Sequence, residues 1–195
     1  MIALAIALML AFALISPASA SASTSGELLP NPSFTQGPTG WKTNNSQHTL
    51  TVLNAGIAEL TSSKSGHVVL NDEPNVVASA TKGSKYVVTA RVRTTTPNVS
   101  GAVRIREVAG AQVSSSSTTF RLSDRSWQNI KLEVNTIYGD SKLDLNVLAY
   151  SLEGGKNLQI DSVSVTQATT VTTPPVTIPP DQPTSKCDAA PPSAT

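Results

Sequence analysis

Cysteine is nearly missing from this 195-residue chain: the only one is Cys187. Everything upstream of it is therefore without a disulfide framework or a thiolate metal site. Histidine is almost as scarce, with only His48 and His67, and no Ser-His-Asp, paired-carboxylate or metal-ligand spacing stands out. Charged residues are 14% of the chain and the formal net charge is +1, which removes the electrostatic case for nucleic acid or a membrane surface as partner. Aromatic residues make up only 4%. No segment carries a helical hydrophobic period.

What is present falls into three parts. An apolar run from Ile2 to Ile15 ends at Pro17 and the triplet Ala18-Ser19-Ala20, with nothing charged before Glu27. This reads as a secretory signal peptide over residues 1–20, although no basic residue precedes the run. A membrane anchor is the rival reading, but about fourteen apolar residues make only about 21 Å of helix against a hydrocarbon core of about 30 Å. From Ala168 the composition changes: seven of the last 28 residues are Pro and seven are Thr. Residues 168–195 read as a semi-rigid linker or tail, with Cys187 pointing first to a partner cysteine further along the chain, and otherwise to an intermolecular bridge or a free thiol. Residues 25–167 between them are one domain's worth of chain.

Hydrophobic alternation in that domain has a period of two. In "YVVTARVR" Tyr86, Val88, Ala90 and Val92 share one face, with Arg91 and Arg93 on the other; in "AVRIREV" Val103 and Ile105 oppose Arg104 and Arg106. Pro97 and Gly101 mark the run between them as a turn and predict a hairpin. "WQNIKLEV" and "KLDLNVLAY" alternate in the same way, and "LQIDSVSV" changes phase at Asp161-Ser162, which predicts a β-bulge. Shorter strands are expected in "TLTVLN", "GIAELT", "HVVL" and "NVVASA". Eight or more strands with turn-rich joints indicate an all-β fold: an antiparallel two-sheet β-sandwich, most simply a jelly roll, with an immunoglobulin-like sandwich as the alternative.

Four segments in order carry a resemblance: "LLPNPSFTQGPTGWK", "YVVTARVRT", "SWQNIKLEV" and "LQIDSVSV". Together they resemble the galactose-binding-like jelly rolls of carbohydrate-binding modules, families four and nine and their relatives. The resemblance spans Leu28 to Val165. It implies a secreted, non-catalytic domain that binds polysaccharide and targets a linked or partner enzyme, with a downstream catalytic domain as the partner of the linker. It also implies a structural calcium ion, with Asp161 and carbonyls near Asn31 as ligands; Thr35 stands where relatives often carry an acid. Trp41 and Trp127 match family positions that pack into the sandwich, and Phe34 is expected to be buried with Trp41.

Sugar recognition combines an aromatic face with groups that hydrogen-bond hydroxyls. With the tryptophans and Tyr86 expected in the core, Tyr138 and Tyr150 remain as candidate platforms. The predicted hairpin would set Arg91, Arg93, Arg104 and Arg106 on one surface, where like charges require acids or a ligand. Outward Glu133 and Asp144 would supply the acids, and Lys131, Gln128 and Asn146 would extend a ladder suited to hydroxyls or uronic acids. The expected protein is extracellular and monomeric, with a polysaccharide ligand. A structural or adhesive envelope sandwich is the second reading and a small polysaccharide hydrolase the third, since glycosidase carboxylates can lie far apart in sequence.

Overall fold

A computed structural model describes residues 23–24, 26–54 and 56–169. The predicted signal peptide, the tail beyond Thr169 and Cys187 lie outside the described residues. Among the described residues twelve strands follow one another: β1 (Ser23–Thr24), β2 (Trp41–Thr43), β3 (His48–Leu53), β4 (Ile57–Ser62), β5 (Gly66–Asp72), β6 (Val77–Ala80), β7 (Lys85–Arg93), β8 (Val99–Ala109), β9 (Gln112–Leu122), β10 (Gln128–Asn135), β11 (Ser141–Leu152) and β12 (Asn157–Thr169). Among the described residues there is no helix. The strands form two antiparallel sheets, a front sheet β2-β5-β11-β8-β9 with β6 also on β11, and a back sheet β10-β7-β12-β4-β3 with β1 also on β12. The fold is the expected jelly-roll sandwich.

Alternation builds the core as the period of two requires. Val88, Ala90 and Val92 of β7, Ile130, Leu132 and Val134 of β10, and Val163 and Val165 of β12 face Val103 and Ile105 of β8 and Leu143, Leu145 and Val147 of β11 across the sandwich, all buried. The phase change in β12 falls where expected, because its register on β7 shifts between Ile160 and Ser162.

The segment before β2 closes one end. Phe34 and Trp41 are 1% and 6% exposed and pack with ring centroids 5.2 Å apart. Asn31 ties this loop together: its Nδ2 donates to the carbonyls of Gly37 and Thr39, its Oδ1 accepts from Gln36 N, and its own carbonyl accepts from Trp41 Nε1. Leu28 N donates to Val165 O, and Val163 N to Pro32 O, so the loop is stitched to β12. Burial of its ring holds Phe34 at a φ of 55°, unusual for a bulky residue.

Two elements differ from the sequence expectation. The Ser-rich stretch "QVSSSSTTFRL" is an eleven-residue edge strand, β9, paired along its whole length with β8. Also, β7 and β8 are not a hairpin. Residues 94–98 carry the chain from the back sheet to the front sheet, and β7 pairs instead with β10 and β12. Asn157 braces this crossing, its Oδ1 accepting from Thr95 N at 2.8 Å and from the hydroxyls of Thr94 and Thr95.

Candidate functional site

The outer face of the front sheet carries rows of side chains set by strand register. Lys42 stands opposite Asn71, Asn71 opposite Asn146, Asn146 opposite Arg104 and Arg104 opposite Ser117, a polar row crossing five strands. Asn146 links it: its Oδ1 accepts from Arg104 Nε (2.9 Å) and Nη2 (2.7 Å), while its Nδ2 donates to Asn71 Oδ1 (2.7 Å) and Asp144 Oδ1 (3.0 Å). In the adjoining row Arg106 Nη1 reaches Asp144 Oδ2 at 3.1 Å. On the other side lies a short apolar strip, Val69, Leu148 and Ala102. Beyond the strip, Tyr150 is 38% exposed, its ring centroid 5.2 Å from that of His67. From Asp144 to Tyr150 is six residues, about 20 Å of strand.

An open groove of about 540 Å³ runs along the polar end of this face, with Asn44, Asn71 and Asn75 in its wall. Its charged residues balance, three cations (Lys42, Arg106, Lys142) against three acids (Asp72, Glu73, Asp144). Two of these acids are in ion pairs, Glu73 with Lys42 and Asp144 with Arg106. Asp72 is 3% exposed, and its oxygens accept from Val76 N and Leu145 N. Burial pushes its carboxyl up to about 6; the two backbone hydrogen bonds oppose that rise and the Asp144 charge adds to it. With its oxygens taken by the backbone, Asp72 acts as a brace between β5 and β11 and is not presented as an acid or base.

The back sheet's outer face is organised differently. Arg91 and Arg93 lie over the ring of Trp127, 4.9 and 4.4 Å from its centroid. Arg91 Nη1 also meets Asp161 Oδ2 at 2.5 Å, and Arg93 Nε donates to Gln159 Oε1 at 2.7 Å. Glu59 accepts from both Gln159 and Asn157. On β10, exposed Glu133 pairs with Lys131 and Lys85, and hydrogen bonds from those two ammonium groups hold its carboxyl down at about 2.

The four arginines therefore do not share a surface. Because β7 and β8 belong to different sheets, Arg91 and Arg93 face outward on one side and Arg104 and Arg106 on the other, with a sandwich about 10 Å thick between the sheets. The acids divide in the same way: Asp144 serves Arg106, while Glu133 and Lys131 belong to the back sheet. Gln128 lies in phase with the core, opposite Val92. Trp127, expected in the core, is half-buried on the back face beneath the two guanidinium groups. Tyr138 and Tyr150 lie at opposite ends of β11; Tyr138 is half-buried, and its backbone N–H donates to buried Glu107. Asn71, His67 and Lys142 escaped sequence reasoning, although the parity of β5 and β11 places Asn71 and Lys142 outward.

Asp161 and Asn31 do not fit a calcium site. Asp161 is engaged by Arg91, and the carbonyls of Asn31, Pro32, Gly37 and Thr39 each already accept a protein hydrogen bond. Calcium takes six to eight oxygens, several of them carboxylate. Among the described residues no three His, Cys, Asp or Glu side chains gather at one point.

No sequence-family profile matches the chain, and no curated protein resembles it in sequence. Solved structures do resemble its fold. The CBM22-1 and GH10 modules of Clostridium thermocellum endo-1,4-β-D-xylanase 10B, complexed with xylohexaose, align with a TM-score of 0.57 at 12% identity, over 71% of this chain and 28% of that one. TmCBM61, complexed with β-1,4-galactotriose, aligns at 0.51 and 14% identity, over 72% of this chain and 98% of that one. A Stig cyclase from Fischerella sp. TAU aligns at 0.53 and 14% identity, over 75% and 98%. This chain thus spans little more than a quarter of the xylanase it resembles, and at these identities the likeness is one of fold: it has the β-sandwich found in carbohydrate-binding modules and also in an enzyme.

Proposed function

We propose that this domain is a secreted, non-catalytic carbohydrate-binding module that holds a polysaccharide along the front face and brings a linked or partner enzyme to it. The observation that carries the reading is the Asn71–Asn146–Arg104 row, hydrogen-bonded to itself and therefore fixed before a ligand arrives. Asn71 Nδ2 and Arg104 Nη1 make no hydrogen bond within the described residues, which leaves donors for sugar hydroxyls. Tyr150 and His67 add an apolar platform at the other end of the strip. The balanced charge of the groove suits a neutral glycan.

The absence of catalysis in this reading rests on how the acids are used. Glu73 and Asp144 are ion-paired and Asp72 is bonded to backbone, so no two groove carboxylates are placed as acid and base across an open gap. Secretion and enzyme targeting rest on the leader and on the Pro/Thr tail, which would act as a spacer raising a partner's local concentration.

Affinity electrophoresis of the full chain through gels containing xylan, β-glucan, mannan or galactan tests the proposal. Retardation by at least one of them is expected. Tyr150→Ala is expected to weaken it about tenfold, the scale of one lost stacking contact. An unretarded wild-type band in every gel overturns the proposal.

A further inference from the structure

The back sheet holds a second pocket, of about 270 Å³ and of a different chemical character. Two adjoining rows of the sheet form it. Asn129, Arg91 and Ser162 stand side by side across β10, β7 and β12, and Lys131 stands opposite Thr89 in the next row. Every polar side chain in its wall can donate a hydrogen bond, two of them are cations, and no acid lines it. The front groove, by contrast, carries its acids in its own wall, whereas Asp161 and Glu133, which pair with the two back cations, stand outside this one.

The central cation is fixed in advance. Arg91 lies over Trp127 and spends Nη1 on Asp161, which lies outside the pocket wall, so its plane is set while other N–H groups stay unspent. Ordering a guanidinium before binding removes a cost the ligand would otherwise bear. The side chains of Thr89, Asn129 and Ser162 make no hydrogen bond among the described residues. Lys131 meets only Glu133, at 2.7 Å in a pair exposed on both sides, and such a pair exchanges readily for a better partner.

We propose that this pocket is a second glycan-binding site, selective for the carboxylate of a uronic acid, with Arg91 and Lys131 as cationic ligands and Asn129, Thr89 and Ser162 as neutral donors. A planar carboxylate matches the fork of a guanidinium, and charge-assisted bonds outrank those to a hydroxyl. The module then has two faces of different selectivity, one for a neutral chain and one for an acidic chain. The inference extends the carbohydrate reading but stands on different residues.

Trp127 supplies the readout, because it sits under Arg91 while Trp41 is buried in the core. Tryptophan emission of the full chain is titrated with trigalacturonate and with its fully methyl-esterified form. A saturable change is expected with the acid and at least tenfold weaker binding with the ester. Lys131→Ala, at a side chain 61% exposed, is expected to weaken the acid about tenfold, and Tyr150→Ala to leave it unchanged. Equal response to acid and ester overturns the inference, as does an unaltered Lys131→Ala titration. Loss of the acid response in Tyr150→Ala would place the acid on the front face and also overturn it. Front-face retardation by neutral polysaccharide survives any of these failures, so the two proposals fail separately.

Discussion

Gly101 lies in β8 between two neighbours, opposite Ala149 of β11 and Phe120 of β9. A Cβ added there would sit 2.1 Å from the carbonyl oxygen of Leu148 and 2.5 Å from Cζ of Phe120. Ordinary heavy-atom contact is about 3.5 Å, so the overlap is about an ångström with the ring and well over an ångström with the carbonyl oxygen. The aromatic ring has room to turn aside, but the carbonyl belongs to β11 and moves only if that strand slides. Overpacking a core usually costs about 1–3 kcal/mol, and a clash with ladder backbone belongs at the top of that range or above it. Gly101→Ala is expected to destabilise the domain by at least about 3 kcal/mol in urea unfolding and to lower Tm by roughly 10 °C. Adding Phe120→Leu to Gly101→Ala should recover little of the loss, because it leaves the carbonyl in place. Gly110 is the comparison: it has a φ of 59° with nothing near its would-be Cβ, so Gly110→Ala should cost only about 1–2 kcal/mol. If Gly101→Ala costs no more than Gly110→Ala, or if Phe120→Leu restores it, the Leu148 carbonyl is not what keeps a side chain out of this position.

Two further outcomes follow from buried carboxylates. The folded state raises Asp72 from an ordinary aspartate value to about 6, so it binds the proton more tightly than the unfolded chain does. Its contribution is fully present below about pH 4 and is lost as pH rises through 6, a fall of about 3 kcal/mol for a shift of about two pH units. Urea titrations between pH 4 and 7 should show that slope in the wild type, and Asp72→Asn should flatten it; a slope that persists in the variant assigns it to another group. Glu107 is 3% exposed and receives hydrogen bonds from Ile137 N, Tyr138 N and Ser141 Oγ. Glu107→Ala should cost about 3 kcal/mol and speed amide exchange at residues 137 and 138, and unchanged exchange there would show that the turn does not depend on it.

Much of the architecture was legible because burial on one face writes a period of two into a strand. Tyr86, Val88, Ala90 and Val92, then Ile130, Leu132 and Val134, then Leu143, Leu145, Val147 and Ala149 all point inward, and the slip at Asp161 is visible as a lost phase. The same rule explains why β9 was not legible. Its serines line an edge where neither face is fully buried, so there is no hydrophobic alternation to detect. Periodicity also says which residues share a strand face but not which strands share a sheet. The five residues between β7 and β8 fit a hairpin turn as well as a crossing between sheets. The crossing is decided by contacts remote in sequence, above all those of Asn157 with Thr94 and Thr95. Read as a hairpin, that joint puts four arginines together and merges the two faces into one. Trp127 was misplaced for a related reason: a tryptophan opening a strand looks like core until the guanidinium groups from β7 are seen over it.

The short pairing of β1 with the end of β12 sets Ser23 beside Thr169 and Thr24 beside Ala168. The polypeptide enters and leaves the sandwich at the same corner, running in opposite directions. A pull between residues 22 and 170 would meet these rungs one after another, as a zip is opened, instead of loading them together in shear. Tension along the chain would therefore peel the first strand away at low force, while both broad faces of the sandwich hung clear of the line of pull.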